Sequence, residues 1–169
     1  MRPEDALARL PVPARRAVYR VAHLALRIWW VVRRPHTHGV KCVLRHEGRI
    51  LFVRHTYGDR RVWELPGGGL RRGEPPAHAA AREAREELGV DVPWTPVATI
   101  HARGGLKTTT LSVFTADLPG SGGSMPADRA SFSAIALDID PGEIAEVRWA
   151  PEDDPPRPLS PSAAAILRG

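Results

Sequence analysis

The stretch Gly68–Val90, GGLRRGEPPAHAAAREAREELGV, decides how this chain is read. Pro75 and Pro76 suit a helix start, where backbone donors have no partner, and Gly89 is a natural stop, so the spacing predicts a helix from Ala77 to Leu88. On that helix Glu83, Glu86 and Glu87 stand at i, i+3 and i+4 and share one face within about one turn. With Glu83 set at zero and ~100° per residue, Glu86 and Glu87 fall at about −60° and +40°, while Ala77, Ala80, Ala84 and Leu88 cluster near +60° to +140°. The acidic strip thus borders the stripe expected to be buried, which places it at the rim of a cleft. Three like charges so close repel one another unless a cation neutralises them, and Mg2+ or Mn2+ suits a site made of oxygens. An exposed acidic helix face is the bland alternative for any three glutamates at this spacing.

The residues around the glutamates argue against that alternative. Gly68, five residues, Glu74, seven residues, Arg82-Glu83-Ala84, one residue, Glu86-Glu87, one residue and Gly89-Val90 together resemble the Nudix box at every fixed position. The approach to it, Trp63–Gly69 or WELPGGG, is similar to the usual one. On these motifs the chain is identified as a member of the Nudix hydrolase family, MutT-like, over about Val40 to Leu167. The resemblance implies hydrolysis of a diphosphate linkage, commonly in a nucleoside diphosphate derivative. It also implies divalent metal, Mg2+ or Mn2+, held by Glu83, Glu86, Glu87 and the carbonyl of Gly67. Arg82 matches the box arginine that orients a glutamate, and Glu74 matches a structural position. The general base varies in the family: Glu83 is one candidate and Glu143, just before a late strand, another, although spacing alone does not separate Glu143 from Glu146.

The remaining chain fits one catalytic domain of the α/β class, a Nudix-type α/β/α sandwich with a mixed sheet, preceded by an N-terminal amphipathic helix. Gly39–Arg45 and Arg49–His55 flank Glu47-Gly48 and read as a β-hairpin. Tyr57–Arg61 reads as a polar loop. Pro96–Ala102 and Thr108–Asp117 read as two strands around Gly104-Gly105, and Pro119–Ser133 as a mobile loop. Ile135–Ile139 and Ile144–Trp149 are further strand candidates, and Ser160–Leu167 a short closing helix. The single cysteine, Cys42, lies in an apolar run and reads as a core residue of a chain kept in a reduced compartment, the cytoplasm.

Charge divides the chain into a basic arm, residues 1–35, and the Nudix hydrolase domain, residues 36–169. The first 34 residues hold eight arginines against Glu4 and Asp5, a net of +6 within a whole-chain net of +5, so the rest carries −1. From Pro13 to Arg34, Ala14, Ala17, Val21, Leu24, Ile28 and Val31 recur at helical spacing with Arg16, Arg20, Arg27 and Arg34 on another side. Arg20, His23 and Arg27 interrupt what a membrane span would need, and no uninterrupted apolar core precedes a small-residue cleavage site. Three roles stay open for the arm: packing on the domain or across a homodimer, peripheral membrane contact through Trp29 and Trp30, and nucleic-acid contact.

Substrate contacts are sought outside the glutamates. Gly68 and Gly69 allow close backbone approach to a ligand. Arg54 and Arg61, among several arginines, are candidate phosphate partners because guanidinium forks match phosphate oxygens. Trp63, Tyr57 and Phe114 are candidates to stack a base, with packing as the default, and His55 and His101 are weak base candidates at strand ends. The expected partner is a small nucleotide-type substrate. A catalytically silent binding or regulatory module, with the arm engaging a partner, nucleic acid or membrane, is the alternative; losses in the box would favour it, and the box is intact.

Overall fold

The computed structural model describes residues 10–33, 36–104, 107–118 and 137–168. Helix α1, Val12–Arg33, leads into strand β1, His36–His46, and strand β2, Arg49–His55. Helix α2, Pro76–Leu88, precedes strands β3, Thr95–Gly104, and β4, Lys107–Asp117; strand β5, Ile144–Pro151, and helix α3, Pro161–Ile166, close the chain. The sheet runs β3-β4-β1-β2-β5, with β1 and β4 parallel and the other neighbours antiparallel, so it is mixed.

The hairpin turn lies where the sequence puts it, with Glu47 at φ 47° and Gly48 at φ 72°, both in the left-handed region that a two-residue turn of this hand requires. Leu137–Ile139 is not strand, unlike the sequence expectation; residues 135 and 136, the Pro119–Ser133 segment and Gly105 lie outside the described residues. Ser160 caps α3 by accepting from the Ala163 amide.

Alternation along β1 and β2 builds two layers of core. Val40 and Cys42 pack with Ala79 and Ala80 of α2 and with Phe114, while Leu44, Leu51 and Val53 pack with Leu88 on the same side. Val43, Ile50 and Phe52 point the other way, against Trp63, Val113 and Ala163 of α3. The two helices therefore cover opposite faces of one sheet, the α/β/α sandwich that the sequence suggested. Cys42 is buried and its thiol is pushed up to about 12 by burial first, as befits a core residue.

The register of β1 against β2 explains how the glycine-rich segment reaches the core. These strands pair only at Arg45–Ile50 and His46–Arg49, then splay. The segment 64–70 fills the gap: Glu64 exchanges both backbone bonds with Val53, while Val40 and Cys42 donate to the carbonyls of Gly68 and Pro66. An otherwise irregular stretch thereby satisfies its backbone groups and lies flat between two strands.

Helix α1 docks with its polar side inward. Arg15 pairs with Asp140 at 2.7 Å, Arg16 donates to the Pro141 carbonyl, Arg20 donates to the Thr56 carbonyl, and the Tyr19 and Tyr57 rings lie 5.9 Å apart. Val18, Val21, Leu24, Ile28 and Trp29 are left exposed. The amphipathic pattern expected from the sequence is present, but the face turned to the domain is the basic one. Among the described residues no helix is long and apolar enough to cross a membrane.

Candidate active site

Helix α2 and the 64–70 segment meet edge to edge, and the glutamates line the seam. Gly67 has φ 123°, and a Cβ there would stand 2.4 Å from the Val40 carbonyl oxygen, so only glycine fits between the strands. Its amide donates to Glu87 Oε2 at 2.9 Å. A Cβ on Gly68 would lie 2.6 Å from Glu83 Oε1, so the absence of a side chain leaves room for that carboxylate. Gly89 closes α2 in the left-handed conformation at φ 66°.

The three glutamates differ in exposure. Glu87 is 1% exposed, while the side chains of Glu83 and Glu86 are 13% and 46% exposed. The sequence reading placed all of them at a rim, whereas Ala79, about −40° on the same wheel, is buried and Ala77 is exposed. The buried stripe is thus shifted toward Glu87, which falls between Ala79 and Ala80. Burial first, then the charges of Glu143 and Glu83, raise the Glu87 carboxyl well above its ordinary range. Burial likewise raises Glu83 and Glu143.

Arg82 organises the outer part of the seam with all five of its donors. Nε and Nη2 hold Glu74 at 2.8 and 2.9 Å, Nη1 reaches Glu83 at 2.6 Å and Glu86 at 3.1 Å, and Nη2 also donates to the Gly69 carbonyl at 3.0 Å. The paired guanidinium keeps the Glu74 carboxyl down at about 2. Arg71 adds a contact to Glu86 at 3.1 Å. Glu83 and Glu86 are thereby drawn to the arginine, and among the described residues donor atoms of Glu87, Glu143 and His55 all lie within 4.8 Å of one another.

The structure separates Glu143 from Glu146, which spacing could not. Glu143 lies beside Glu87 and accepts from the Tyr57 hydroxyl at 2.7 Å, and the Thr56 amide donates to its carbonyl. Glu146 is exposed on β5 and pairs with Arg54. Arg54 also lies over the Trp63 ring at 4.9 Å, and Arg61 is exposed and paired with Asp59, so neither arginine joins the carboxylate cluster. Period-two alternation gives the reason: Arg54 follows Phe52 toward the α3 face, while His55 follows Leu51 and Val53 toward α2.

His55 and Tyr57 are the residues whose importance sequence reasoning underestimated. His55 stood only as a weak base candidate and Tyr57 only as a stacking candidate. Counting the strand alternation forward from the apolar Leu51 and Val53 would have placed His55 on the α2 side. Burial first, then the Lys41 charge, lowers the His55 imidazole to about 4, so it is neutral around pH 7. Lys41, also missed, lies on the opposite face, where its Nζ donates to the Leu65 carbonyl at 2.9 Å and stands 3.4 Å from Glu64.

The fold is thus a mixed sheet between two helices, with a carboxylate cluster beside a glycine-rich seam. Solved structures share the fold: a MutT NUDIX hydrolase from Burkholderia pseudomallei matches with TM-score 0.63 at 22% identity, covering 79% of this chain and 97% of that one. The NUDIX domain of Shewanella oneidensis NrtR, solved with ADP ribose, matches with TM-score 0.61 at 18% identity, covering 99% and 96%. The NUDIX domain family matches residues 35–168, and the chain belongs to it. Among curated relatives, an ADP-ribose pyrophosphatase from Mycobacterium tuberculosis is 45% identical over 65 residues, 37% of this chain and 31% of its own length. Phosphatase NudJ of Escherichia coli is 40% identical over 57 residues, 34% of this chain and 37% of its own length. The chain thus spans about a third of the length of the curated relatives it matches.

Proposed function

We propose that this protein is a divalent-metal-dependent hydrolase that cleaves the diphosphate linkage of a nucleoside diphosphate derivative, with the chemistry carried by residues 36–169. One observation carries the reading: Glu87 is a fully enclosed carboxylate, beside Glu143 and Glu83, and its side chain accepts a hydrogen bond from the Gly67 amide. Such a group is costly to ionise unless a cation is close. Glu83, Glu86 and Glu87 with the Gly67 carbonyl are the proposed holders, and their oxygen donors fit Mg2+ or Mn2+. A bound cation would neutralise phosphate oxygens and make a nearby water a better nucleophile.

The protein's own groups supply position and proton transfer. Arg82 holds Glu83 and Glu86 through Nη1 while Glu74 and the Gly69 carbonyl anchor the rest of its guanidinium, so it acts as a positioning residue. Glu143 is the proposed general base, because it lies within the cluster and burial raises its carboxyl above the ordinary range, which makes it a better proton acceptor. Tyr57, donating to Glu143 Oε1, fixes which oxygen is left to act. Gly69 leaves open space for the approach of a substrate, whereas the Glu83 carboxylate faces Gly68.

Nucleoside diphosphate sugars are the first substrates to test, since one relative is named for ADP-ribose and one structural neighbour was solved with it. The experiment is a cleavage panel of such compounds with dinucleoside polyphosphates, nucleoside triphosphates and capped RNA, in Mg2+ or Mn2+ against chelator. Metal-dependent cleavage of one class supports the proposal, and no cleavage of any by folded, metal-binding protein overturns it. The exposed apolar face of α1, with Val21, Ile28 and Trp29, favours an additional role for the arm in engaging a partner, which the same panel run with and without residues 1–35 would separate from catalysis.

A further inference from the structure

Three donors from three separate elements converge at the inner end of the seam. One ring nitrogen of His55, at the end of β2, and one carboxylate oxygen each of Glu87 on α2 and Glu143 before β5 all lie within 4.8 Å of one another. Ligand atoms sit about 2.0–2.2 Å from a small divalent cation, so atoms on opposite sides of one ion are at most about 4.4 Å apart. Shifts of a few tenths of an ångström would bring the His55 nitrogen and the Glu87 oxygen onto opposite sides of a single ion, with the Glu143 carboxylate beside it.

Two further features mark His55 as more than a neighbour. Its Nδ1 is closed to solvent and has no hydrogen-bond partner, although buried polar atoms are nearly always paired. Its ring lies 4.9 Å from the Tyr57 ring, and the Tyr57 hydroxyl holds Glu143, so one tyrosine sets the orientation of both the imidazole and a carboxylate. A ligand nitrogen needs that kind of fixed presentation.

We infer that His55 is a nitrogen ligand to a divalent cation that Glu87 also holds, beside the free oxygen of Glu143, and that it makes the site prefer transition-series ions such as Mn2+ over Mg2+. The inference rests on the reading that the carboxylates hold a cation, and deepens it by adding a ligand from β2 and a metal preference. Mg2+ favours oxygen and keeps its waters, so it gains little from an imidazole, whereas a nitrogen donor strengthens binding along the Mn2+ to Cu2+ series.

The test uses the full chain loaded with Mn2+ in the absence of substrate. Pulsed electron paramagnetic resonance on the wild-type protein is expected to show a nitrogen coupling of directly bound imidazole, and His55→Gln is expected to remove it. Titration is expected to show Mn2+ affinity lowered at least ~10-fold in His55→Gln, with Mg2+ affinity changed far less. Absence of nitrogen coupling in the wild type overturns the inference whether or not any variant folds, as does unchanged Mn2+ affinity in a folded His55→Gln. Glu87→Gln distinguishes the two levels. Mn2+ binding that is sensitive to Glu87→Gln without nitrogen coupling leaves the proposed function standing and removes His55 as a ligand. Failure of Mn2+ to bind, or indifference to Glu87→Gln, removes the metal reading itself.

Discussion

Replacing Glu87 by glutamine is expected to stabilise the metal-free protein above pH 5 while abolishing its response to metal. The amide keeps the size of the side chain and an oxygen for the Gly67 amide, so the 2.9 Å contact survives and the buried charge does not. The Glu87 carboxyl is raised by burial, then by Glu143 and Glu83, so its folded-state pKa lies above its unfolded one. The folded protein therefore binds that proton more tightly than the unfolded chain. This contribution to stability is complete below the unfolded value and is lost as pH rises through the folded one. Each pH unit of that window is worth up to about 1.4 kcal/mol. In a chain of this length 1 kcal/mol moves the melting temperature by about 2–4 °C. The wild-type protein in chelator is thus expected to lose up to roughly 3–6 °C per pH unit across the window relative to Glu87→Gln. Divalent cation at 100 times its Kd adds about 2.7 kcal/mol to a protein that binds it only when folded. Thermal scans of both proteins from pH 5 to pH 8, in chelator and in Mn2+, supply the comparison. Parallel pH slopes together with equal stabilisation by Mn2+ would refute the reasoning.

Three further outcomes follow from the same geometry. Arg82→Lys removes the planar fork from Glu74, Glu83 and Glu86, and urea unfolding is expected to show a loss of about 1–3 kcal/mol. Gly67→Ala meets the Val40 carbonyl at 2.4 Å at a φ of 123°, which adds about 1–3 kcal/mol of backbone strain and about 1–3 kcal/mol of overpacking, whereas Gly69→Ala has open space around its Cβ and is expected to fold as wild type; melting temperatures distinguish the pair. Glu143→Gln is expected to lower kcat by about 10²–10⁴-fold as loss of a general base, and Glu146→Gln to leave it within about twofold, because Glu146 faces Arg54 away from the cluster; equal kcat for both variants would remove Glu143 from that role.

Much of this protein is legible in its sequence because the decisive signals are local. The α2 glutamates, Pro75 and Gly89 fix a helix and its ends through backbone and period alone, and Glu47-Gly48 fixes a hairpin turn. The spacing from Gly68 to Val90 is sufficient for the family, and the apolar runs on either side of Glu47-Gly48 for a pair of strands. These properties depend on residues within one or two turns or strands of one another.

What the sequence left open depends on which distant surfaces meet. The wheel of α2 gave the glutamates a common side, but the packing of the helix on the sheet through Ala79 and Ala80 buried Glu87 and left Glu86 exposed, while Glu83 pairs with Arg82. Glu143 and Glu146 are three residues apart and equivalent by composition; the turn at Pro141–Glu143 sends one toward Glu87, and pairing with β2 sends the other to Arg54. Packing on the domain was one of three roles left open for α1, and its polar side is drawn inward by Asp140, the Pro141 and Thr56 carbonyls and Tyr57. The sequence by itself determined which elements form and which family they belong to, since those rest on backbone propensity and short-range spacing. Only the tertiary structure decided which carboxylates lie together and that His55 stands beside them, because burial and charge proximity are properties of surfaces brought together across the chain.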